Sequence, residues 1–259
     1  MNVEEEYPKI SLQELSSNLE LLTQLAYPSR TTDYAIRVLK ELEELGVDSV
    51  YLNREPKPSI KLIGKGYRGI LLKACWNSLT IAVKILRVDS GISDLTREAE
   101  MMKLANSIGI GPRLFDYSNH VILMEYVHGV DLDKWLNQLS FEDVGLLKKV
   151  LTSILTQARK LDSIHLDHGE LSNARRHIII KEDFHPVILD FGKASLSRKP
   201  KNFTSVVSYL VFGPHHIKIL KMMCVSDIPI QFLRVYKENP CDESFYRIIR
   251  ALNLGGTLL

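Results

Sequence analysis

Two helical patterns of hydrophobic residues open the chain. Leucines near the N-terminus recur at spacings of three and four, at positions 12, 15, 19 and 22. The capping-box sequence Ser11 to Glu14 lies at the start of this pattern, so a helix from about Leu12 to Ala26 is predicted. A second helix is predicted from about Thr32 to Leu45, and the apolar stretch VDSVYL after it predicts a short strand.

A polar stretch with two prolines, NREPKPS, separates this helical segment from the strand patterns downstream. It predicts a domain boundary near residue 56, with an N-terminal helical extension over residues 1–55 and a main domain over residues 56–259. Two helices and a strand are parts of a winged-helix module, which would bind nucleic acid or protein. They suit an extension that packs on the next domain equally well, and the pattern leaves both interpretations open.

Strand patterns begin at Ile60, in IKLIGKGYRGILLKACWNSLTIAVKIL. Two apolar runs surround Gly64, Gly66 and Gly69, which predicts an antiparallel hairpin and then a third strand ending near Leu86. The G-x-G-x-x-G spacing also opens dinucleotide-binding βαβ units, but there the glycines lead directly into a helix. Here they lead into a strand, which favours a glycine-rich turn whose backbone N–H groups cover phosphates. An ordinary glycine-containing hairpin is the alternative.

A charged residue interrupts the third strand, because Lys84 lies inside the apolar run IAVKIL. A lysine is rarely buried without a partner, so this side chain is predicted to face a cleft. The following helix, in SDLTREAEMMKLANSIGIGP, offers Glu98 and Glu100. Glu98 borders the apolar stripe of that helix and Glu100 lies further round, so we expect Glu98 to pair with Lys84. A solvated Glu98 is the alternative.

The stretch HVILMEYVHGVDLDKWL predicts a strand, a turn and a helix. The apolar strand ends at Met124, and Glu125 to Val127 follow as a connection. The exposed backbone of such a connection suits contacts with the edge of an adenine ring. A plain core strand would have the same pattern, so this stretch alone does not decide between the two.

Six motifs follow the chain order of the protein-kinase fold between residues 60 and 195: GKGYRG, AVK, a helix glutamate, LMEYV, HGEL and DFG. The dipeptide HG, where most eukaryotic kinases have HR, resembles the RIO and other small atypical archaeal kinases, and also aminoglycoside-type phosphotransferases. The stretch REAEMMKLANSIGIGP favours the RIO-like kinases over the aminoglycoside-type phosphotransferases. As a whole, the chain is similar to a family of archaeal Ser/Thr kinases with an HGE catalytic loop.

This resemblance implies a fold and an activity. The fold would be α+β and bilobal, protein-kinase-like, with a small antiparallel-sheet N-lobe over about residues 56–124 and a reduced helical C-lobe over about 128–259. The activity would be that of an ATP-dependent Ser/Thr protein kinase that transfers the γ-phosphoryl group to a protein hydroxyl, including its own by autophosphorylation. ATP and an unidentified protein substrate would be its partners.

The resemblance also assigns roles to individual residues. Lys84, held by Glu98, would contact the α- and β-phosphates of ATP, and Asp190 of DFG would bind Mg²⁺ or Mn²⁺. Glu125 and Val127 would contact the adenine ring. Glu170 takes the place of the catalytic aspartate, but its extra methylene moves the carboxylate by about 1.5 Å, and a misplacement of about 1 Å can slow catalysis about a hundredfold. A slow enzyme is therefore expected.

One position departs from the family pattern. Arg175 stands where the family has an asparagine that holds a second Mg²⁺, and an arginine cannot bind a cation. Asn173 or His177 would then supply a metal ligand, or Arg175 itself would neutralise phosphate. Two alternatives stay open: a nucleotide-binding pseudokinase or ATPase switch in a larger assembly, and a small-molecule phosphotransferase. The basic loop SLSRKPKNFTS suits either an acidic or phosphate-bearing substrate or plain solvation.

Composition limits the kinds of partner and the cellular compartment that we expect for the protein. The 33 Lys and Arg residues nearly balance the 31 Asp and Glu residues, so net charge gives no reason to expect nucleic acid or membrane as the partner. Three unclustered cysteines argue against a disulfide framework or a zinc site. No apolar run approaches the length of a membrane helix, and the N-terminus MNVEEEYPK is acidic, so a cytoplasmic protein without a membrane partner is expected.

Overall fold

The computed structural model describes residues 7–53 and 57–254. The chain divides into two compact units. The first contains the residues up to Lys103 together with Pro112–Tyr126, and the second contains Leu104–Gly111 together with the residues from Val127 onward. The boundary predicted near residue 56 falls on residues 54–56, which lie outside the described part of the chain.

The first unit is built on one antiparallel sheet of eight strands. In chain order these are β1 (Lys9–Ser11), β2 (Val47–Asn53), β3 (Ser59–Ile60), β4 (Leu62–Lys65), β5 (Gly69–Trp76), β6 (Leu79–Leu86), β7 (Leu114–Tyr117) and β8 (Val121–Glu125). The order across the sheet is β1-β2-β5-β6-β8-β7, with β3 beside β2 and β4 beside β5. The glycine-rich hairpin predicted from the sequence is the β4–β5 pair.

The first predicted helix is broken into shorter pieces, so the expectation of one helix from Leu12 to Ala26 was wrong. Helix α1 spans Leu12–Ser17, α2 spans Leu19–Leu22, and a 3₁₀ turn covers Thr23–Ala26. The break lies at Asn18, whose backbone is extended and whose side-chain oxygen accepts a hydrogen bond from the Leu21 amide. An asparagine that caps a new helix competes with continuation of the old one, and leucine spacing alone does not reveal this.

The second predicted helix is α3, Thr32–Glu44, and the predicted strand VDSVYL is β2. Gly46 follows α3 with a φ of +73°, a left-handed conformation that favours glycine after a helix. Residues of α1 to α3 share one hydrophobic core with the main sheet, for example Leu15 and Leu42 with Ile70 and Val83. Residues 7–53 therefore pack on the strands that come after them and extend their sheet through β2.

The second unit is mainly helical. A three-stranded antiparallel sheet, ordered β11-β10-β9, is formed by β9 (Gly129–Asp131), β10 (Ile178–Lys181) and β11 (Pro186–Ile188). Its helices are α5 (Leu132–Gln138), α6 (Val144–Ser163), α7 (Asn202–Phe212), α8 (His216–Met222), α9 (Ile230–Glu238) and α10 (Asp242–Ala251), while α4 (Thr96–Asn106) runs from the first unit into the second. The predicted α+β class is confirmed. Among the described residues, no helix is both long enough and apolar enough to cross a bilayer.

Candidate functional site

The glycine-rich turn joins β4 to β5 in the first unit, and Gly69 is its most restricted position. The Gly66 amide donates to the Gly69 carbonyl across 2.8 Å, which closes the turn. A Cβ atom on Gly69 would lie 2.9 Å from the Ile85 carbonyl oxygen and 3.1 Å from Cε of Lys84. By contrast, a Cβ on Gly64 would make only ordinary contacts, 3.5 Å or more, with Leu71. Glycine at position 69 therefore lets the turn approach the Lys84 side chain.

The same unit brings Lys84 and Glu98 together. Lys84 lies on β6, opposite Leu71 of β5 and Ile122 of β8, and Glu98 lies in the first turn of α4. Lys84 Nζ is 2.5 Å from Glu98 Oε1, and both residues are only 5% exposed. A buried charge is very costly unless it is paired, so each side chain stabilises the charge of the other between strand β6 and helix α4.

The end of β8 contains the residues predicted to contact adenine. The Glu125 amide donates to the Arg113 carbonyl across 2.8 Å, and the Arg113 amide donates to the Glu125 side chain across 3.2 Å. The Glu125 N–H is thus engaged inside the sheet. Tyr126 ends the first unit, with Lys73 Nζ 5.0 Å from its ring centre, and Val127 begins the second.

In the second unit, the HGEL loop is anchored from two helices. The His168 amide donates to the Asn202 side-chain oxygen across 2.8 Å, and the Asn202 side-chain nitrogen donates to Asp162 of α6 and to the Leu166 carbonyl. Asn202 is the first residue of α7 and is 1% exposed. A buried network in which these polar groups are hydrogen-bonded fixes the backbone at the start of the HGEL loop.

His168 has a structural role in this loop. Its ring is fully buried, with Nε2 2.9 Å from the Leu189 carbonyl oxygen and the ring edge-to-face against Phe191. Burial lowers the pKa of His168 to about 4, so the ring is neutral near pH 7 and Nε2 donates to the carbonyl. The neutral imidazole therefore connects the HGEL loop to the DFG segment.

The conformation and surroundings of Gly169 explain why glycine follows histidine in the HGEL loop. Its φ is +86°, and a Cβ there would lie 2.6 Å from Arg198 Nη2 and 2.8 Å from the Lys193 carbonyl oxygen. The Arg198 guanidinium occupies this space and forms an ion pair with Asp167, with Nε 2.7 Å from Oδ2. Any larger residue at position 169 would have to displace the segment that comes after DFG.

Three side chains with metal-binding atoms lie close together at the end of the loop. One oxygen each from Glu170 and Asp190 and one ring nitrogen of His177 lie within 4.8 Å of one another. His177 is 8% exposed, and its Nδ1 has no hydrogen-bond partner among the described residues. Two carboxylates and an imidazole are suited to a divalent cation such as Mn²⁺. Glu170 also forms an ion pair with a lysine side chain, since its Oε1 lies 2.9 Å from Lys193 Nζ.

Asn173 and Arg175 line a cavity of the second unit. Arg175 Nε donates to Asn173 Oδ1 across 3.1 Å, and both residues line a cavity of about 300 Å³ against α7. The side-chain oxygen predicted as a metal ligand is therefore bonded to the arginine beside it. The α7 residues that line this cavity were not identified from the sequence, because α7 begins 27 residues after Arg175 and only the fold brings it to the loop.

Two further residues escaped the sequence analysis. Lys193 directly follows DFG, and its position next to a conspicuous motif was the available signal for its contact with Glu170. Arg198 lies in the basic loop SLSRKPKNFTS, where its ion pair with Asp167 could not be distinguished from solvation by sequence alone.

Comparison with known proteins relates this chain to a domain family and to an archaeal protein. The RIO domain family matches residues 89–206, which include Glu98, the HGEL loop and DFG but begin after the glycine-rich turn and Lys84. The uncharacterized protein MJ1211 of Methanocaldococcus jannaschii is 30% identical over 115 residues. The aligned region covers 44% of this chain and 94% of that protein.

Proposed function

This chain belongs to the archaeal RIO-like family, which has a kinase-like fold, and from that premise we propose that it is an ATP-dependent Ser/Thr protein kinase. It would bind ATP with a divalent metal ion and transfer the γ-phosphoryl group to a hydroxyl of a protein, its own included. Phosphoryl transfer depends mainly on positioning and on neutralising negative charge, and the residues of this chain are suited to both tasks.

The observation that carries the proposal is the buried ion pair of Lys84 and Glu98, with 2.5 Å between Nζ and Oε1. Such a pair adds little stability compared with apolar residues of similar size, so its presence in an apolar strand calls for another explanation. A lysine held rigidly beside a glycine-rich turn supplies a fixed positive charge for the α- and β-phosphates. Gly69 supports this use, since its missing side chain leaves the turn close to the Lys84 stem.

The metal fits the residues present in the second unit. Asp190, Glu170 and His177 offer a compact donor set, and the buried His177 Nδ1 lacks a hydrogen-bond partner in the described part of the chain. We assign Asp190 and His177 as the residues that would hold the cation. When bound, ATP and its cation would supply the transferable phosphoryl group and offset its charge.

Glu170 is the residue that we assign as the base for the acceptor hydroxyl. Its side chain is 22% exposed and adjoins Lys193, so it is accessible to an incoming group. Lys193 would hold the carboxylate in one orientation and add positive charge near the transferred group. Because the glutamate is longer than the usual aspartate, we expect slow turnover.

A nucleotide-binding protein without transfer activity is the second candidate. It is favoured by the same contact between Glu170 and Lys193, because a carboxylate held by a lysine of its own chain is less free to contact an acceptor hydroxyl. In that case ATP would bind and would act as a structural ligand or as a switch in a larger assembly.

The decisive experiment combines γ-labelled ATP, Mg²⁺ or Mn²⁺ and a generic acceptor protein. Wild type should label itself or the acceptor, and Glu98→Ala and Glu170→Gln should each reduce labelling at least tenfold. Glu100→Ala is the matched control, because Glu100 lies on the same helix with its side chain exposed, and it should label like wild type. ATP binding without labelling under every condition would exclude the kinase and leave the second candidate.

A further inference from the structure

A cavity of the second unit is lined by residues that closely follow the proposed base in the chain, and the proposed reaction does not use it. It has a volume of about 300 Å³ and lies against Ser172 and Arg175 of the HGEL loop and against residues 205–214, from α7 to just beyond its end. Glu170, the proposed base, is two residues before Ser172 in the chain. This volume is at the small end of ligand cavities, which suits one side chain or one charged group and not a large cofactor.

The polar groups of this cavity include one that is buried without a partner. Tyr209 lines the cavity and is 6% exposed, and its hydroxyl makes no hydrogen bond among the described residues. Burial raises the pKa of Tyr209 to about 12, so the hydroxyl stays protonated and can donate. An unsatisfied buried hydroxyl carries a cost in stability. A polar ligand in the cavity would remove that cost.

The charge of the cavity points to an anion. Arg175 is the charged residue in its wall, and none of the described residues that line it carries a carboxylate. Asn173 accepts from Arg175 Nε and so helps to orient the guanidinium, which has further N–H donors. Ser205 and Ser208 of α7 also line the cavity, and a serine hydroxyl is a neutral donor. An arginine among hydroxyl groups is a typical arrangement for binding carboxylate or phosphate oxygens.

One apolar wall completes the cavity. Phe212 lines it and is 57% exposed, and Gly213 comes directly after Phe212. A Cβ on Gly213 would lie 2.2 Å from the Tyr209 carbonyl oxygen, so the chain can turn here only with glycine. An exposed ring beside a cationic pocket suits a peptide, whose backbone and aliphatic atoms would cover the ring.

We propose that this acceptor cavity binds an anionic side chain of the protein substrate, close in sequence to the hydroxyl that is phosphorylated. The shared chemistry is a carboxylate or phosphate oxygen, so the source is either an Asp or Glu residue or a residue phosphorylated earlier. The inference rests on the proposed kinase function, because it assigns the cavity to the acceptor of that reaction. Peptide binding without ATP tests the cavity separately from catalysis.

The experiment measures the affinity of the full chain for three fluorescent serine peptides that differ only beside the serine. One peptide carries glutamates there, one carries a phosphoserine, and one carries alanines. Wild type should bind at least one anionic peptide about tenfold more tightly than the alanine peptide. Tyr209→Phe and Ser208→Ala should each weaken anionic binding several-fold, and they should leave alanine-peptide binding unchanged. The tighter of the two anionic peptides identifies the source of the charge.

Two controls separate binding from misfolding. Tyr246→Phe changes a 43% exposed tyrosine outside the cavity and should bind both anionic peptides like wild type. Tyr209→Phe should melt at or above the wild-type temperature, because it removes a hydroxyl with no partner in the described structure. Equal affinity for the three peptides, or anionic binding that both cavity variants retain, would overturn the proposal. Anionic binding with no label transfer from ATP would support the cavity and reject the kinase.

Discussion

Lys193 Nζ lies 2.9 Å from Glu170 Oε1, so the residue after DFG contacts the carboxylate in the base position. If Lys193 orients Glu170 and adds positive charge near the transferred phosphoryl group, Lys193→Met should lower kcat about 10- to 100-fold. The affinity for ATP should change less than threefold. Single-turnover transfer and equilibrium ATP binding measure these two effects separately.

Lys193→Arg should recover part of the loss, because it keeps the charge. Lys160→Met is the control for removing a surface lysine, because Lys160 is exposed near the C-terminal end of α6, and it should leave kcat unchanged. If Lys193→Met raised kcat, the ion pair would be inhibitory and Glu170 would act only when released from it.

Gly69→Ala should weaken ATP binding about tenfold or more. The added methyl group would lie 2.9 Å from the Ile85 carbonyl oxygen and 3.1 Å from Lys84, so the lysine or the turn must shift. Displacement of about 1 Å is enough to impair a phosphate contact. Isothermal titration with ATP and Mn²⁺ gives the affinity. Gly145→Ala is the matched control, since a methyl group there meets no atom within 4 Å, and normal affinity of Gly69→Ala would contradict the role of this turn.

Gly169→Ala should destabilise the second unit by more than Gly109→Ala does. Both glycines have φ between 70° and 90°, namely +86° and +74°, so the backbone strain of an alanine is similar at the two positions. Only at position 169 would the methyl group also collide, with Arg198 Nη2 at 2.6 Å and the Lys193 carbonyl at 2.8 Å. We expect an extra loss of about 1–3 kcal/mol, as for an overpacked core. Urea unfolding of both variants gives the difference, and equal losses would contradict the steric argument.

The sequence predicted the parts of the site that depend on local pattern. The glycine hairpin follows from alternating strands, and the contact of Lys84 with a helix glutamate follows from the rarity of a lysine inside an apolar strand. The pattern did not reveal the helix break at Asn18. The same leucine spacing is compatible with one helix or two, and a single side-chain hydrogen bond of Asn18 favours two.

Contacts between distant segments were out of reach. Asp167 meets Arg198 only because a short antiparallel bridge joins Asp167 to Ser195. Likewise, the surroundings of Arg175 depend on where α7 packs, and α7 begins 27 residues later. A single sequence does not show which distant residues will pair. Motif spacing therefore assigned roles to residues inside the motifs, and it could not identify their partners outside them.

Glu41→Gln should show that residues 7–53 stabilise the sheet in a pH-dependent way. The Glu41 carboxylate of α3 accepts hydrogen bonds from Ser118 and from the His120 amide, the latter at 2.9 Å. Burial raises the pKa of Glu41, but the hydrogen bonds from Ser118 and His120 outweigh it and hold the pKa below its usual 4.5. The stabilisation is therefore complete above about pH 4.5 and is lost as the pH falls through the lowered value.

At pH 7 the variant should lose about 1–2 kcal/mol of unfolding free energy, and the difference from wild type should shrink as the pH falls below 4.5. Urea unfolding at several pH values measures it. Glu44→Gln is the control, because Glu44 lies on the same helix, is 63% exposed and makes only a 3.7 Å pair with Lys40. A loss at pH 7 that stays constant down to pH 3 would show that the effect is not that of the ionised carboxylate.

His177→Asn should change which cation supports nucleotide binding. An imidazole beside the carboxylates of Glu170 and Asp190 favours Mn²⁺ over Mg²⁺, since Mg²⁺ prefers oxygen ligands. Wild type should therefore bind ATP more tightly with Mn²⁺, and His177→Asn should lose about tenfold with Mn²⁺ and little with Mg²⁺. Titration of a non-hydrolysable ATP analogue with each cation gives the four affinities. His165→Asn, an exposed position in the left-handed region that asparagine tolerates, should retain the wild-type preference. Equal losses with both cations would mean that His177 supports the loop and does not bind the metal.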